Sequence, residues 1–211
     1  MTTGILSRLL SAAAAAALVA WGATLPLWTL TMRAPQYPKG LRLQVYGTGM
    51  TGDISELNIL NHYIGMPPIA APDFETALFP YGIGLLVALC LISAAHVHLR
   101  RLAVLAAVLA PLSILVDLQW RLYTFGHELN PTAPIRLKPF TPLVLGQSTM
   151  GNFVSTGMVA AGFWCLIGAA VVLVLPQAIG RLRLAAARRA AASGGTAAAA
   201  AILALALVAP A

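Results

Sequence analysis

Apolar residues run through most of this chain in stretches longer than a soluble fold uses. Four of them, Ile5 to Leu30, Leu78 to Ala95, Leu102 to Val116 and Phe153 to Leu175, meet or approach the about 20 residues that cross a roughly 30 Å hydrocarbon core. A fifth, Ala190 to Val208, is alanine-rich and less hydrophobic. The third reaches full length by continuing through Leu118, Trp120 and Leu122, which sets an aromatic belt at its outer end; Trp21 and Trp28 mark the same belt on the first. The pattern predicts an all-α integral membrane protein with five transmembrane helices, at 5–30, 78–97, 102–120, 153–176 and 190–209. The whole chain, 1–211, is then a single membrane domain. Two polar segments, 31–77 and 117–152, connect spans on one side and are expected to form a small extracytoplasmic cap.

Within the first polar segment the pattern changes. Leu41, Leu43 and Val45 alternate with Arg42, Gln44 and Tyr46, a strand-like period of two that Gly47-Thr48-Gly49 ends. Asp53 and Glu56 have the spacing of a capping box, and Gly65 with Pro67-Pro68 supplies a stop, so a helix is predicted over Ile54–Ile64. Leu57, Leu60 and Ile64 share one of its faces, while Asn58, Asn61 and His62 share another. A helix of this kind can lie on a membrane and turn its polar face away. The second segment opens with Asp117 and Arg121, an acid-first i, i+4 pair. A long loop without a helix of its own is expected to follow, and Pro134–Pro142 alternates apolar and basic residues like an extended edge.

Composition supports the membrane class: 59% of the 211 residues are hydrophobic, 9% are charged, and the mean hydropathy is +0.84. Soluble domains have about 25% charged residues, so a soluble enzyme, a disordered tail and a disulfide-stapled module are excluded. Cys90 and Cys165 lie inside apolar runs, which leaves no CxxC or zinc pattern. The net charge of +7 changes meaning once it is placed along the chain. All six acids (Asp53, Glu56, Asp73, Glu75, Asp117, Glu128) lie in or beside the polar segments, where Arg33, Lys39, Arg42, Arg121, Arg136 and Lys138 balance them. The other seven bases, Arg8, Arg100, Arg101, Arg181, Arg183, Arg188 and Arg189, have no acidic neighbours and follow the positive-inside pattern. The excess charge therefore indicates topology, with the N-terminus inside the bacterial cytoplasmic membrane and the lipid bilayer as the partner. No nucleic-acid partner is expected.

The first apolar run continues past Ala23 through Pro26, Trp28 and Leu30, too long for a signal-peptide core, so an uncleaved anchor is expected. Near the other end, Arg188-Arg189, Ser193-Gly194-Gly195 and Ala209-Pro210-Ala211 frame the last run, which fits a final helix or a start-transfer segment.

Candidate chemistry lies outside the spans. No charged side chain sits at a span midplane, which counts against a transporter or proton pump, and no midplane histidine is present to ligate haem. No pair of matched broken helices marks an inverted repeat. In the polar segments, His62 and Met66 flank the end of the expected helix and Met50 precedes its start; His127 and Met150 form a second set. Imidazole and thioether donors suit Cu(I) in a compartment without usable thiols. Asn58, Asn61 and Glu128 are the candidates to orient the imidazoles. The competing structural role has His62 bonding Asn58 and a backbone carbonyl, with Met66 packing as a space filler. His96 and His98, beside Arg100-Arg101, fit headgroup contact. Tyr63, Pro67, Pro68, Phe125, Pro139 and Phe140 suit two loops packed on one another, which would bring His62 and His127 within about 15 Å.

The strings Asn58-x-x-Asn61-His62-Tyr63-Ile64-Gly65-Met66 and Tyr123-x-x-Gly126-His127-x-Leu129-Asn130-Pro131, with Lys138-Pro139-Phe140-Thr141-Pro142 and Leu145-Gly146, resemble segments of a family of small polytopic bacterial membrane proteins. That family is associated with maturation of copper oxidoreductases of the nitrous oxide reductase type. The resemblance covers the two polar segments only and brings no catalytic residues with it. It implies a membrane accessory protein for copper handling or redox-enzyme assembly, with copper as cofactor and a protein partner in a membrane complex. The alternatives are a non-catalytic scaffold and an electron-transfer, quinol-interacting subunit with Tyr63, His62 and His127 near headgroup level. Glu56 and Glu128 could serve acid–base chemistry, but no nucleophile–base–orienter set is visible.

Overall fold

The structure, a computed structural model, describes residues 2–70, 73–135, 137–150 and 152–192. In chain order its elements are α1 (Thr2–Gly22), β1 (Trp28–Ala34), β2 (Tyr37–Tyr46), β3 (Gly49–Gly52), α2 (Ile54–Ile64), α3 (Asp73–Ile92), α4 (Val97–His127), β4 (Gly146–Met150), β5 (Phe153–Val159) and α5 (Ala161–Ala192). The strands form one antiparallel sheet in the order β3-β2-β1-β5-β4. The all-α expectation is therefore corrected: the chain is mostly helical but carries a distinct sheet.

Among the described residues, four helices are long and apolar enough to cross a membrane, over Ile5–Gly22, Phe74–Ile92, Val97–His127 and Ala161–Ala190. Their large side chains stand open along much of their length, Leu85, Val116 and Trp164 among them, a surface that soluble monomers seldom leave uncovered. Of the expected fifth span at 190–209, residues 190–192 end α5 and the rest lies outside the described residues.

Two expected spans are shorter because their outer ends are strands. α1 stops at Gly22, the Thr24 and Leu25 amides bond back to Trp21 and Gly22 carbonyls, and Pro26 has no amide to continue a helix. Thr29 and Thr31 then alternate with Trp28, Leu30 and Met32, a period of two that favours β structure. Phe153–Val159 behaves likewise, with β-branched Val154, Thr156 and Val159. β1 and β5 pair from Trp28↔Val159 to Arg33↔Val154, and the register continues as Ala160 and Gly162 amides donate to Leu27 and Pro26 carbonyls. α4 departs in the opposite sense. It continues past the expected end of the third span, through Tyr123 to His127, where a loop was expected.

By internal packing the chain divides into two compact units. The helical unit takes described residues 2–20, 84–108 and 166–192. Its core is built from small side chains, Ala12, Ala15, Ala16, Ala103, Ala107 and Ala169, around Val19, Leu166 and Leu173, which lets helix backbones approach closely. Arg100, expected in a short connection, lies instead in α4 and is 3% exposed. Its Nη2 donates to Ser11 Oγ at 3.0 Å and to the Leu173 carbonyl at 3.1 Å, while Nε and Nη1 have no acceptor among the described residues.

The sheet unit takes 21–83 and 109–165, less the undescribed positions. The expected strand alternation is present in β2: Leu41 and Leu43 are buried and Arg42 and Gln44 exposed. The register sets Met32 opposite Leu41, Leu30 opposite Leu43 and Met50 opposite Val45, so these residues share one face of the sheet. The predicted helix α2 covers that face through Leu57 and Leu60, completing a core with Met32, Leu41 and Leu43. The opposite face presents Thr29, Thr31, Arg42 and Gln44.

Candidate functional site

The expected helix ends as the sequence suggests and begins differently. Gly65 adopts a left-handed φ of 78°, and the Gly65 and Met66 amides close the helix on the His62 and Asn61 carbonyls. Asp53 makes no side-chain cap. Its Oδ2 accepts the Arg42 amide at 2.8 Å, tying the helix start to β2, and Glu56 accepts from the Ser55 hydroxyl. The capping box is thus replaced by a strand-to-helix clamp.

The two polar segments meet through backbone hydrogen bonds. Asn130 N–H donates to the Gly65 carbonyl at 2.8 Å and Ile135 N–H to the Tyr63 carbonyl at 3.1 Å. Phe140 N–H reaches the Gly126 carbonyl at 3.1 Å, an approach so close that a Cβ on Gly126 would run into the Phe140 carbonyl oxygen. The Gln119 amide both donates to Pro142 and accepts from Val144, and Trp28 Nε1 donates to the Val144 carbonyl. Phe140, Pro142 and Val144 are therefore fastened to α4 through Gly126 and Gln119 and to β1 through Trp28, and they form no extended edge strand.

The sequence-predicted ligands separate into two groups. His62 is exposed on α2, with the ring of Tyr63 edge-on at 6.3 Å. His127 is also exposed; it stacks on Tyr123 at 4.0 Å, and its Nδ1 lies 2.9 Å from the Tyr123 carbonyl. A carbonyl can only accept, so Nδ1 carries a proton there, and in the neutral ring the lone pair is on Nε2. No hydrogen bond or ring contact joins the two histidines among the described residues. Among the described residues, Asn58 exchanges hydrogen bonds with the backbone of Ile69, and Asn61, 2% exposed, donates to the Pro67 carbonyl. Both hold the chain return after α2. Glu128 is exposed.

The methionines converge. Met50 and Met66, with Met32 from β1, line one cavity of about 110 Å³ between the sheet face and α4, closed by Leu122, Phe125 and Phe140. Met32 was not among the expected donors, and the period-two alternation of residues 28–32 was the signal that could have placed it beside Met50. Met150 pairs with Phe153 at the end of β4, and its side chain lies outside the described part of the structure. Among the described residues no three His, Cys, Asp or Glu side chains gather as a metal-binding group. A soft ion would meet thioethers here.

A second cavity, of about 320 Å³, opens beside the first. Arg121, at its rim, pairs with Glu75 of α3 and, at 3.2 Å, with Asp117 one turn earlier in α4. The Asp117–Arg121 pair was legible at i, i+4; Glu75 was not, because α3 brings it from elsewhere in the sequence.

No protein-family model matches this chain, and no curated protein matches it.

Proposed function

We propose that this protein is a bacterial cytoplasmic-membrane accessory protein whose extracytoplasmic sheet unit holds Cu(I) for a redox-enzyme partner. The observation that carries this is the convergence of Met32, Met50 and Met66 on a single cavity. Thioethers are soft, neutral donors that favour Cu(I) over harder or more highly charged ions, and a half-buried apolar site excludes competing water. Met32 is buried against Leu41 and Leu43, while Met50 and Met66 are half-buried at the rim. His62 lies on the same helix end as Met66 and His127 leads into Asn130, which bonds Gly65. The two exposed imidazoles suit an entry role, with no shared site required. Orientation is supported by charge: Arg8 near the start of α1, Arg100 and Arg101 at the start of α4, and Arg181–Arg189 at the end of α5 all fall at helix ends expected inside.

The test is Cu(I) binding to the purified full chain, measured by competition with a chromophoric Cu(I) chelator under reducing conditions. The triple variant Met32→Leu, Met50→Leu, Met66→Leu conserves volume and removes the sulfur atoms. Wild type should hold copper and the triple variant lose it, while His62→Ala with His127→Ala should slow loading more than it weakens affinity. Absence of bound copper in wild type would favour the scaffold alternative.

A further inference from the structure

The larger cavity has a construction that copper handling does not use. Its walls are apolar, from Leu27, Val45, Phe79, Ile114 and Leu118, and its polar side is the Glu75–Arg121–Asp117 cluster. A volume of about 320 Å³ falls at the lower end of small-molecule sites, which pair apolar walls with a few fixed polar groups. Its height suits a ligand arriving through lipid. Glu75 lies 17 residues before the end of α3, about 26 Å of helix, and Asp117 lies 20 residues after the start of α4, about 30 Å. Those rises match the thickness of a bilayer core, so along both helices the polar cluster falls where hydrocarbon gives way to headgroups.

The hydrogen-bond inventory selects the ligand. Arg121 directs Nη2 at Glu75 and Nε at Asp117, so its donors on that side are engaged. The two carboxylates retain spare lone pairs, since an ionised carboxylate offers about four acceptor sites. The cluster also carries one net negative charge, which repels a phosphate. The cavity thus calls for an apolar, flat or compact head that donates hydrogen bonds and carries no negative charge. We propose that it binds a hydroquinone, the quinol form of a lipid-soluble quinone, with a ring hydroxyl donating to Glu75 or Asp117 and the ring packed among Val45, Phe79 and Ile114. The oxidised quinone has only acceptors to offer, and the carboxylate oxygens of Glu75 and Asp117 cannot donate to it when ionised. The proposal concerns binding alone and rests on the polar cluster and the apolar walls, although Val45, Met50, Leu118 and Arg121 line both cavities.

The experiment uses the full chain in nanodiscs and a short-chain probe, decylubiquinol, kept reduced without oxygen, with decylubiquinone as its comparison, each titrated by calorimetry. The quinol should bind at least tenfold more tightly than the quinone. Ile114→Trp, which fills the cavity, and Ser113→Phe, a change at an exposed position on its rim, should each abolish binding. Both substitutions leave Glu75, Asp117 and Arg121 in place. Glu75→Gln should reduce the preference for quinol over quinone. Equal binding of both forms, no binding of quinol to wild type, or unchanged binding in the two filled-cavity variants that elute as wild type would each overturn the proposal. Displacement of the probe by phosphatidylethanolamine at ordinary membrane content would identify a lipid headgroup site instead.

Discussion

Leu57 and Ile59 sit two positions apart on α2 and face opposite ways, which makes them a controlled pair. Leu57 is fully buried under the sheet with Met32, Leu41, Leu43 and Leu60, whereas Ile59 is 55% exposed. Leu57→Ala leaves a cavity beneath β1 and β2, and a buried Leu→Ala change costs about 2–5 kcal/mol. The site sits at the centre of a small core with few neighbours free to collapse, so the upper half of that range is expected. Ile59→Ala removes little buried area and improves helix propensity, so its effect should fall within about 0.5 kcal/mol. For a chain of this length, each kcal/mol shifts the midpoint by about 2–4 °C. Thermal unfolding in detergent, followed by tryptophan emission, should show Leu57→Ala lowered by roughly 7–20 °C and Ile59→Ala unchanged. Trp28, 2% exposed on the covered sheet face, is the natural reporter. Equal shifts in the two variants would refute the packing of α2 on the sheet.

Asp53→Ala should cost about 1–2 kcal/mol by releasing the Arg42 amide; hydrogen exchange should quicken at Arg42 while the α2 interior keeps its protection, the reverse of what loss of a helix cap would give. Arg100→Met removes two buried donors that lack acceptors, so Tm should stay level or rise, in contrast to the about 3–5 kcal/mol lost when a satisfied buried pair is broken. Single cysteines at Ser55 or Thr132 should label from outside the cell and one at Ala185 only from the cytoplasm; labelling of positions 55 and 132 from opposite sides would break the proposed topology.

The elements most legible in the sequence were those with a clean local period. Leu41, Leu43 and Val45 in β2, and Leu57, Leu60 and Ile64 in α2, declare their buried faces by spacing alone, and Gly65 with its proline pair declares the stop. β1 and β5 were hidden for a physical reason: Trp28–Leu30 and Phe153–Val159 adjoin long apolar helices, and hydropathy alone cannot separate a membrane-spanning residue from a strand buried under a helix. Thr29 and Thr31 carried the alternating signal, yet it was outweighed by the length of the run. α4 shows the converse, since the stretch from Tyr123 with Gly126 suggested a loop although the helix runs on to His127. In the candidate site, residue type identified Met50 and Met66, but their meeting with Met32 depends on sheet register. Asn58 and Asn61 have the right chemistry to orient a histidine; the chain return over Pro67–Ile69 captures them first.

X-ray absorption at the copper edge tests the central claim most directly, because it reports the donor atoms themselves. Protein loaded with one equivalent of Cu(I) should show sulfur scatterers, and that signal should diminish on replacing Met32, Met50 or Met66 singly with Leu. A first shell of nitrogen or oxygen alone, unchanged by those replacements, would contradict a thioether site.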